Sequence, residues 1–159
     1  MGQVHDKLKE LGIELPSVAA PVAAYVPAVQ AGELVYTSGQ LPFVEGTLPQ
    51  TGLVGEDNNQ GAVVTPAVGY EAARVATLNA LAAIEDLVGL ENVEQIVKVN
   101  GFVASAAGFG GQPGVINGAS ELLGEVFGEA GVHARAAVGV AELPLNAPVE
   151  VEIIARVKS

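Results

Sequence analysis

The stretch GVHARAAVGVAELPLNAPVEVEIIARV, from Gly131 to Val157, limits the possible folds more than any other part of the chain. Its side chains alternate with a period of two, so it forms strands, and a strand with one apolar face needs a sheet that buries that face. In the last strand Val149, Val151 and Ile153 point one way while Glu150 and Glu152 point the other. In the preceding strand Arg135 shares a face with Ala137, Gly139 and Ala141, and Ala136, Val138 and Val140 take the opposite one. The LPLNAP connection is short, so the two strands read as a hairpin that brings Glu150 near the residues following Arg135. A guanidinium beside Ala and Gly has open space around it. Either another layer of protein packs closely there, or an anion enters.

Upstream, Val4 to Leu11 reads as a short amphipathic helix closed by Gly12. An extended stretch marked by Pro16, Pro21 and Pro27 follows, then two apolar runs around a Gln30-Ala31-Gly32-Glu33 turn. Phe43 to Pro66 is rich in Gly and polar residues and long for a loop, so it holds a small hairpin or forms a mobile lid. Val68 to Val88 has helical spacing, with Leu78, Leu81, Ile84 and Val88 in one stripe and Gly89 as the stop. VEQIVKVNGFVAS alternates as a strand, and INGASELLGEVFGEAG is a second helix with Ala119, Leu122, Leu123, Val126 and Phe127 inward. The order β-β-α-β-α-β-β predicts an α+β fold, one mixed sheet with both main helices on one face. At 159 residues the chain suits a single domain, with residues 1–20 as an N-terminal helix and arm and 43–66 as an inserted loop.

Seven Lys and Arg stand against 18 Asp and Glu, a formal charge of −11. Such a field repels nucleic acid and anionic membranes, yet one local Arg can still hold a small anion. Without cysteine the chain has no disulfide, thiolate nucleophile or Cys-ligated metal. No apolar run reaches the roughly 20 residues of a spanning helix, and the charged start lacks a signal-peptide pattern. A soluble, cytoplasmic protein is expected.

Arg135 carries the sharpest chemistry, as a structural ion pair or as a bidentate carboxylate clamp. Glu150 and Glu152 are a solvated edge face, or a pair in which like charge raises one carboxylate toward use as a base on water. GFGGQPG (Gly108 to Gly114) lacks the Lys-Ser/Thr of a phosphate loop and reads as a plain loop. His5 and His133 have no metal-ligand spacing and fit no Ser-His-Asp pattern. Ser38 ends a strand beside Gly39, with backbone and hydroxyl accessible.

The segments AYVPAV (with Tyr25), TSGQLP, LNALAAIEDLVG, VINGASELLGEVFG (with Asn117) and ARAAVGVAELPLNAPVEVE together resemble the YjgF/RidA family, in family order over nearly the whole chain after residue 20. The resemblance implies a chorismate-mutase-like fold and a homotrimer with ligand clefts between subunits. It further implies hydrolytic deamination of reactive enamines and imines, such as 2-aminoacrylate, to 2-oxo acid and ammonia, without cofactor or metal. It casts Arg135 as the clamp on the substrate carboxylate and Glu150 as the residue that positions water. Tyr25, Ser38 and Asn117 would line the cleft, and Gly39 would permit close approach. Where active deaminases of the family often carry Cys two residues after the Arg, this chain has Ala137, whose backbone N–H can still donate to a carboxylate. A non-catalytic carboxylate binder is the alternative, and a ribonuclease role, often attached to the family, conflicts with the charge.

Overall fold

The computed structural model describes residues 2–18 and 24–159, so Pro21 of the Pro-punctuated arm lies outside the described residues. Its elements are α1 (Gln3–Glu10), β1 (Ala28–Ala31), β2 (Leu34–Thr37), α2 (Pro66–Leu87), β3 (Val93–Ala104), α3 (Gln112–Phe127), β4 (Ala134–Val140) and β5 (Val149–Val157). They build a five-stranded mixed sheet in the order β1-β2-β5-β3-β4, antiparallel except for the parallel β3–β4 pair. The expected class and element order hold. The β4–β5 pairing does not: β3 lies between them, and the connection that looked like a hairpin crosses over its end.

One face of the sheet is buried under α2 and α3. On β5 the alternation works as read, with Val149, Val151, Ile153, Ala155 and Val157 all in the core. Thr65 starts α2 by accepting the Val68 N–H on its hydroxyl at 3.2 Å, with Pro66 just inside. Leu81 and Ile84 from the predicted stripe are fully buried, while Leu78 and Val88 pack partly against the core. The second helix begins at Gln112 rather than Ile116, because Pro113 suits a first helical turn, and it ends at Phe127, which is only partly buried. GFGGQPG is therefore loop only as far as Gly111.

Residues 43–66 contain the small hairpin, closed by Val44 N–H to Thr47 O at 2.8 Å, and no free-standing lid. Val54 and Val64 are buried in the core, and Val54 exchanges backbone bonds with Ala104 and Ala106 at the end of β3.

Helix α1 docks through Leu8 and an ionic latch. Glu91 accepts the backbone N–H of Val4 (3.1 Å) and of His5 (2.8 Å), and the His5 ring reaches both Glu91 and Glu85. Hydrogen bonding to Glu85, then to Glu91, raises the His5 pKa above 6.5. Burial alone would raise Glu91, but the two backbone donors and the His5 ring hold it below the usual carboxylate range. A raised His stabilises fully below its unfolded pKa and loses that contribution as pH rises through its folded pKa. The Tm gap between wild type and His5→Gln should therefore be open near about pH 6 and close at alkaline pH. An NMR titration of His5 with a midpoint at or below its ordinary value would contradict the latch.

Candidate functional site

Arg135 stands on β4, an edge strand, opposite Val99 of β3. Side chains opposite one another in a sheet share a face, so Arg135, Ala137 and Gly139 point to the helix side with Val99, Gly101 and Val103. A Cβ on Gly139 would fall 2.7 Å from Gln112 Nε2 and 2.9 Å from Ser105 Oγ, and Ala137 packs against the core. The stripe is small because protein packs against it, and Arg135 at its head lies along α3. Nη1 donates to Asn117 Oδ1 (2.9 Å) and Ser120 Oγ (3.1 Å), and Nη2 donates to Pro113 O (3.1 Å). Among the described residues no carboxylate comes within 4.0 Å of it, so it is not half of a structural ion pair.

Those three bonds have physical consequences. A guanidinium has five N–H groups; three are engaged, so Nε–H and one Nη2–H have no partner among the described residues. The acceptors are neutral, which leaves the positive charge uncompensated. A fixed cation with donors on two adjacent nitrogens is suited to a carboxylate.

Glu150 lies on the other face of the sheet, between Val149 and Val151 and opposite Phe102. Gln40 exchanges both backbone bonds with Val151 (2.8 and 3.0 Å), drawing the TSGQLP loop along β5. A Cβ on Gly39 would lie 2.7 Å from Glu150 Oε2, so only glycine lets the loop pass this carboxylate without displacing it. Burial, then the charge of Glu152, raises the Glu150 pKa above the ordinary carboxylate value. The Ser38 hydroxyl is not free, since it donates to Val26 O at 2.6 Å, and Ser38 N–H donates to Pro27 O. These bonds tie the segment bearing the exposed Tyr25 to the loop.

The candidate residues thus fall into two groups. Ser38, Gly39 and Glu150 belong to the open side of the sheet, with the exposed Tyr25 next to the segment that Ser38 holds, and Asn117, Arg135 and Ala137 belong to the helix side at the β4 edge. The expected proximity of Glu150 to the residues after Arg135 within one chain is not found, because β3 separates their strands. Asn117 holds Arg135 instead of facing free space. Three contributors were not legible as such: Ser120 and His133 beside Arg135, and Asn79, which is buried and donates to Leu41 O (3.0 Å) and Phe43 O (3.1 Å) behind the loop. The one available signal was spacing: Asn117 and Ser120 are three apart on a helix, and His133 and Arg135 are two apart. Among the described residues no group of three or more His, Cys, Asp or Glu is arranged to hold a metal ion, and no helix is long and apolar enough to cross a membrane.

Comparison with known proteins supplies the context for this arrangement. The family model described as "YjgF/chorismate_mutase-like, putative endoribonuclease" matches residues 5–157. The chain is 43% identical over 155 residues to Protein TCP17 of Trypanosoma cruzi, covering 96% of this chain and 93% of that one. It is 32% identical over 142 residues to a 2-iminobutanoate/2-iminopropanoate deaminase of Dermatophagoides farinae, covering 89% and 92% respectively. A crystal structure of a protein of unknown function from Agrobacterium tumefaciens superposes with a TM-score of 0.86 at 44% identity, over 98% of this chain and 92% of that one.

Proposed function

The chain belongs to the YjgF/chorismate-mutase-like family, and from that premise we propose that it is a hydrolytic deaminase of small carboxylate-bearing imines and enamines, acting as a homotrimer. The observation that carries the reading is Arg135: an anchored guanidinium with two unengaged N–H groups and no counter-charge within the described chain. The relative named as an imine deaminase supports it.

In this mechanism Arg135 holds the substrate carboxylate and Glu150 takes a proton from water as its oxygen bonds to the imine carbon. The proton passes to the nitrogen to give a carbinolamine; its hydroxyl proton then moves to the nitrogen as the C–N bond breaks and the C=O forms, and 2-oxo acid and ammonia leave. An enamine enters after protonation at carbon and loss of a proton from nitrogen give the imine. The imine is already electrophilic, so orientation and a base meet the chemical need. Ala137 supplies no thiol, and the mechanism uses none. The Glu150 base must be ionised, so turnover falls as pH drops through its raised pKa. A ribonuclease reading is disfavoured by the charge of −11.

The two groups of residues support assembly of the site from more than one copy. Arg135 and Glu150 leave opposite faces of one sheet, so a site using both needs two copies. The open face also exposes Val29, Tyr36 and Val138, at 50%, 39% and 44%, an apolar surface suited to burial between subunits. A closed ring of three repeats one such contact three times. Sedimentation at micromolar concentration should find a trimer, and a stable monomer would remove the cleft. The function itself is tested by generating a 2-imino acid in situ: accelerated ammonia release supports the deaminase, while saturable 2-oxo acid binding without release supports a carboxylate binder.

A further inference from the structure

Behind the Arg135 guanidinium runs a chain of polar contacts that the proposed reaction does not use. Ser120 Oγ lies 3.1 Å from Arg135 Nη1 and 2.9 Å from His133 Nε2. His133 Nδ1 lies 2.6 Å from the carbonyl oxygen of Gly131. All of these groups are partly buried between α3 and the start of β4.

For a neutral His133 ring the direction of every bond is assigned from the network. A carbonyl oxygen only accepts, so the ring proton is on Nδ1, and Nε2 of the neutral ring is an acceptor. Ser120 therefore donates its O–H to Nε2, and its lone pairs face Arg135. An unconstrained hydroxyl would sample orientations that turn its proton toward the guanidinium. His133 removes them.

We propose that Ser120 and His133 are positioning residues for Arg135: Gly131 orients His133, His133 fixes the Ser120 hydroxyl, and Ser120 with Asn117 and Pro113 O locks the guanidinium with Nε–H and the free Nη2–H presented to a ligand carboxylate. The inference rests on the carboxylate-clamp reading of Arg135. Neither side chain touches substrate in this scheme. Their contribution is a guanidinium that is already ordered before the ligand arrives, so less rotational freedom is lost on binding.

The test combines a ligand-free and a ligand-bound measurement. The chain has only three arginines, Arg74, Arg135 and Arg156, so the guanidinium ¹⁵N signals of Arg135 are assigned by their loss in Arg135→Lys. In wild type without ligand, rotation about the Arg135 guanidinium bonds should be hindered, and Ser120→Ala and His133→Phe should each release it. The same variants should weaken pyruvate binding by about 2- to 12-fold, the cost of ordering one long side chain on binding. For imine turnover KM should rise by a like factor with kcat nearly unchanged. Ser120→Thr and His133→Gln, which keep the hydroxyl and an acceptor, should restore most of both. The Ser120→Ala/His133→Phe double variant should be no worse than Ser120→Ala alone, since His133 acts through Ser120. Wild-type Arg135 spectra and pyruvate affinity in Ser120→Ala and His133→Phe would overturn the proposal, and so would lowered Tm with unchanged KM. Hindered Arg135 rotation that Ser120→Ala releases, in a wild type that binds no pyruvate, would uphold the positioning and overturn the clamp reading instead.

Discussion

Glu150→Gln should reduce imine turnover by about 10²- to 10⁴-fold, the usual contribution of a positioned base, while product-like 2-oxo acids bind equally well or more tightly. The amide keeps the shape and most hydrogen bonding of the carboxylate and removes its charge and basicity. With an anion gone from the cleft, an anionic ligand is repelled less. Glu152 is the internal control, and the structure sharpens what it should do. It accepts from Asn100 Nδ2 at 3.0 Å, and its charge is the second cause, after burial, of the raised Glu150 pKa. Glu152→Gln should leave the plateau rate nearly intact and move the acid limb of the pH–rate profile to lower pH, because Glu150 then ionises more readily. Equal losses at both positions would point to bulk electrostatics. Undiminished turnover in Glu150→Gln, beside an active wild type, would falsify the mechanism.

Arg135→Lys should lose most carboxylate affinity although the charge is kept. An ammonium cannot reproduce the planar fork, nor hold Asn117, Ser120 and Pro113 O while still offering paired donors. Replacing a two-pronged charged contact by a point charge should raise the Kd for pyruvate by about 10- to 100-fold, and unchanged affinity in calorimetry would contradict the clamp. The same variant tests the split site. If Arg135 and Glu150 meet only across a subunit boundary, refolding Arg135→Lys together with Glu150→Gln creates mixed trimers in which about one cleft in four carries both native residues. Turnover should reappear on mixing two weakly active preparations. If both residues served one cleft from the same chain, mixing would restore nothing.

Much of this site could be anticipated from the residues alone. Glu150 was placed opposite Val149 and Val151 because alternation in a strand is a local property, and the buried face of β5 follows it without exception from Val149 to Val157. Arg135 could be singled out for the same reason, since its neighbours at a spacing of two are small. What that smallness meant could not be read locally. Of the two explanations, close packing and room for an anion, each holds at a different position: Gly139 is small because Gln112 and Ser105 lie against it, while Arg135 keeps two donors free. His133 offered no metal spacing and no triad. Its part in orienting Ser120 depends on α3 and β4 meeting, which no interval along the chain reveals.

By itself the sequence determined the type and order of the main elements and the buried face of β5, because these depend on spacing and on nearby capping and turn residues. Only the tertiary structure decided that β3 separates β4 from β5. The connection looked too short for that, yet the eight residues from Ala141 to Pro148 can span about 26 Å when extended, whereas skipping one strand takes only about 10 Å. What settles the order is burial. The 12-residue, largely apolar β3 gains most from having a neighbour on each side, and β4, with Arg135 and a half-exposed Val138, gains least. That competition between distant segments puts Arg135 on an edge and Glu150 on the opposite face, and so divides the candidate site in two.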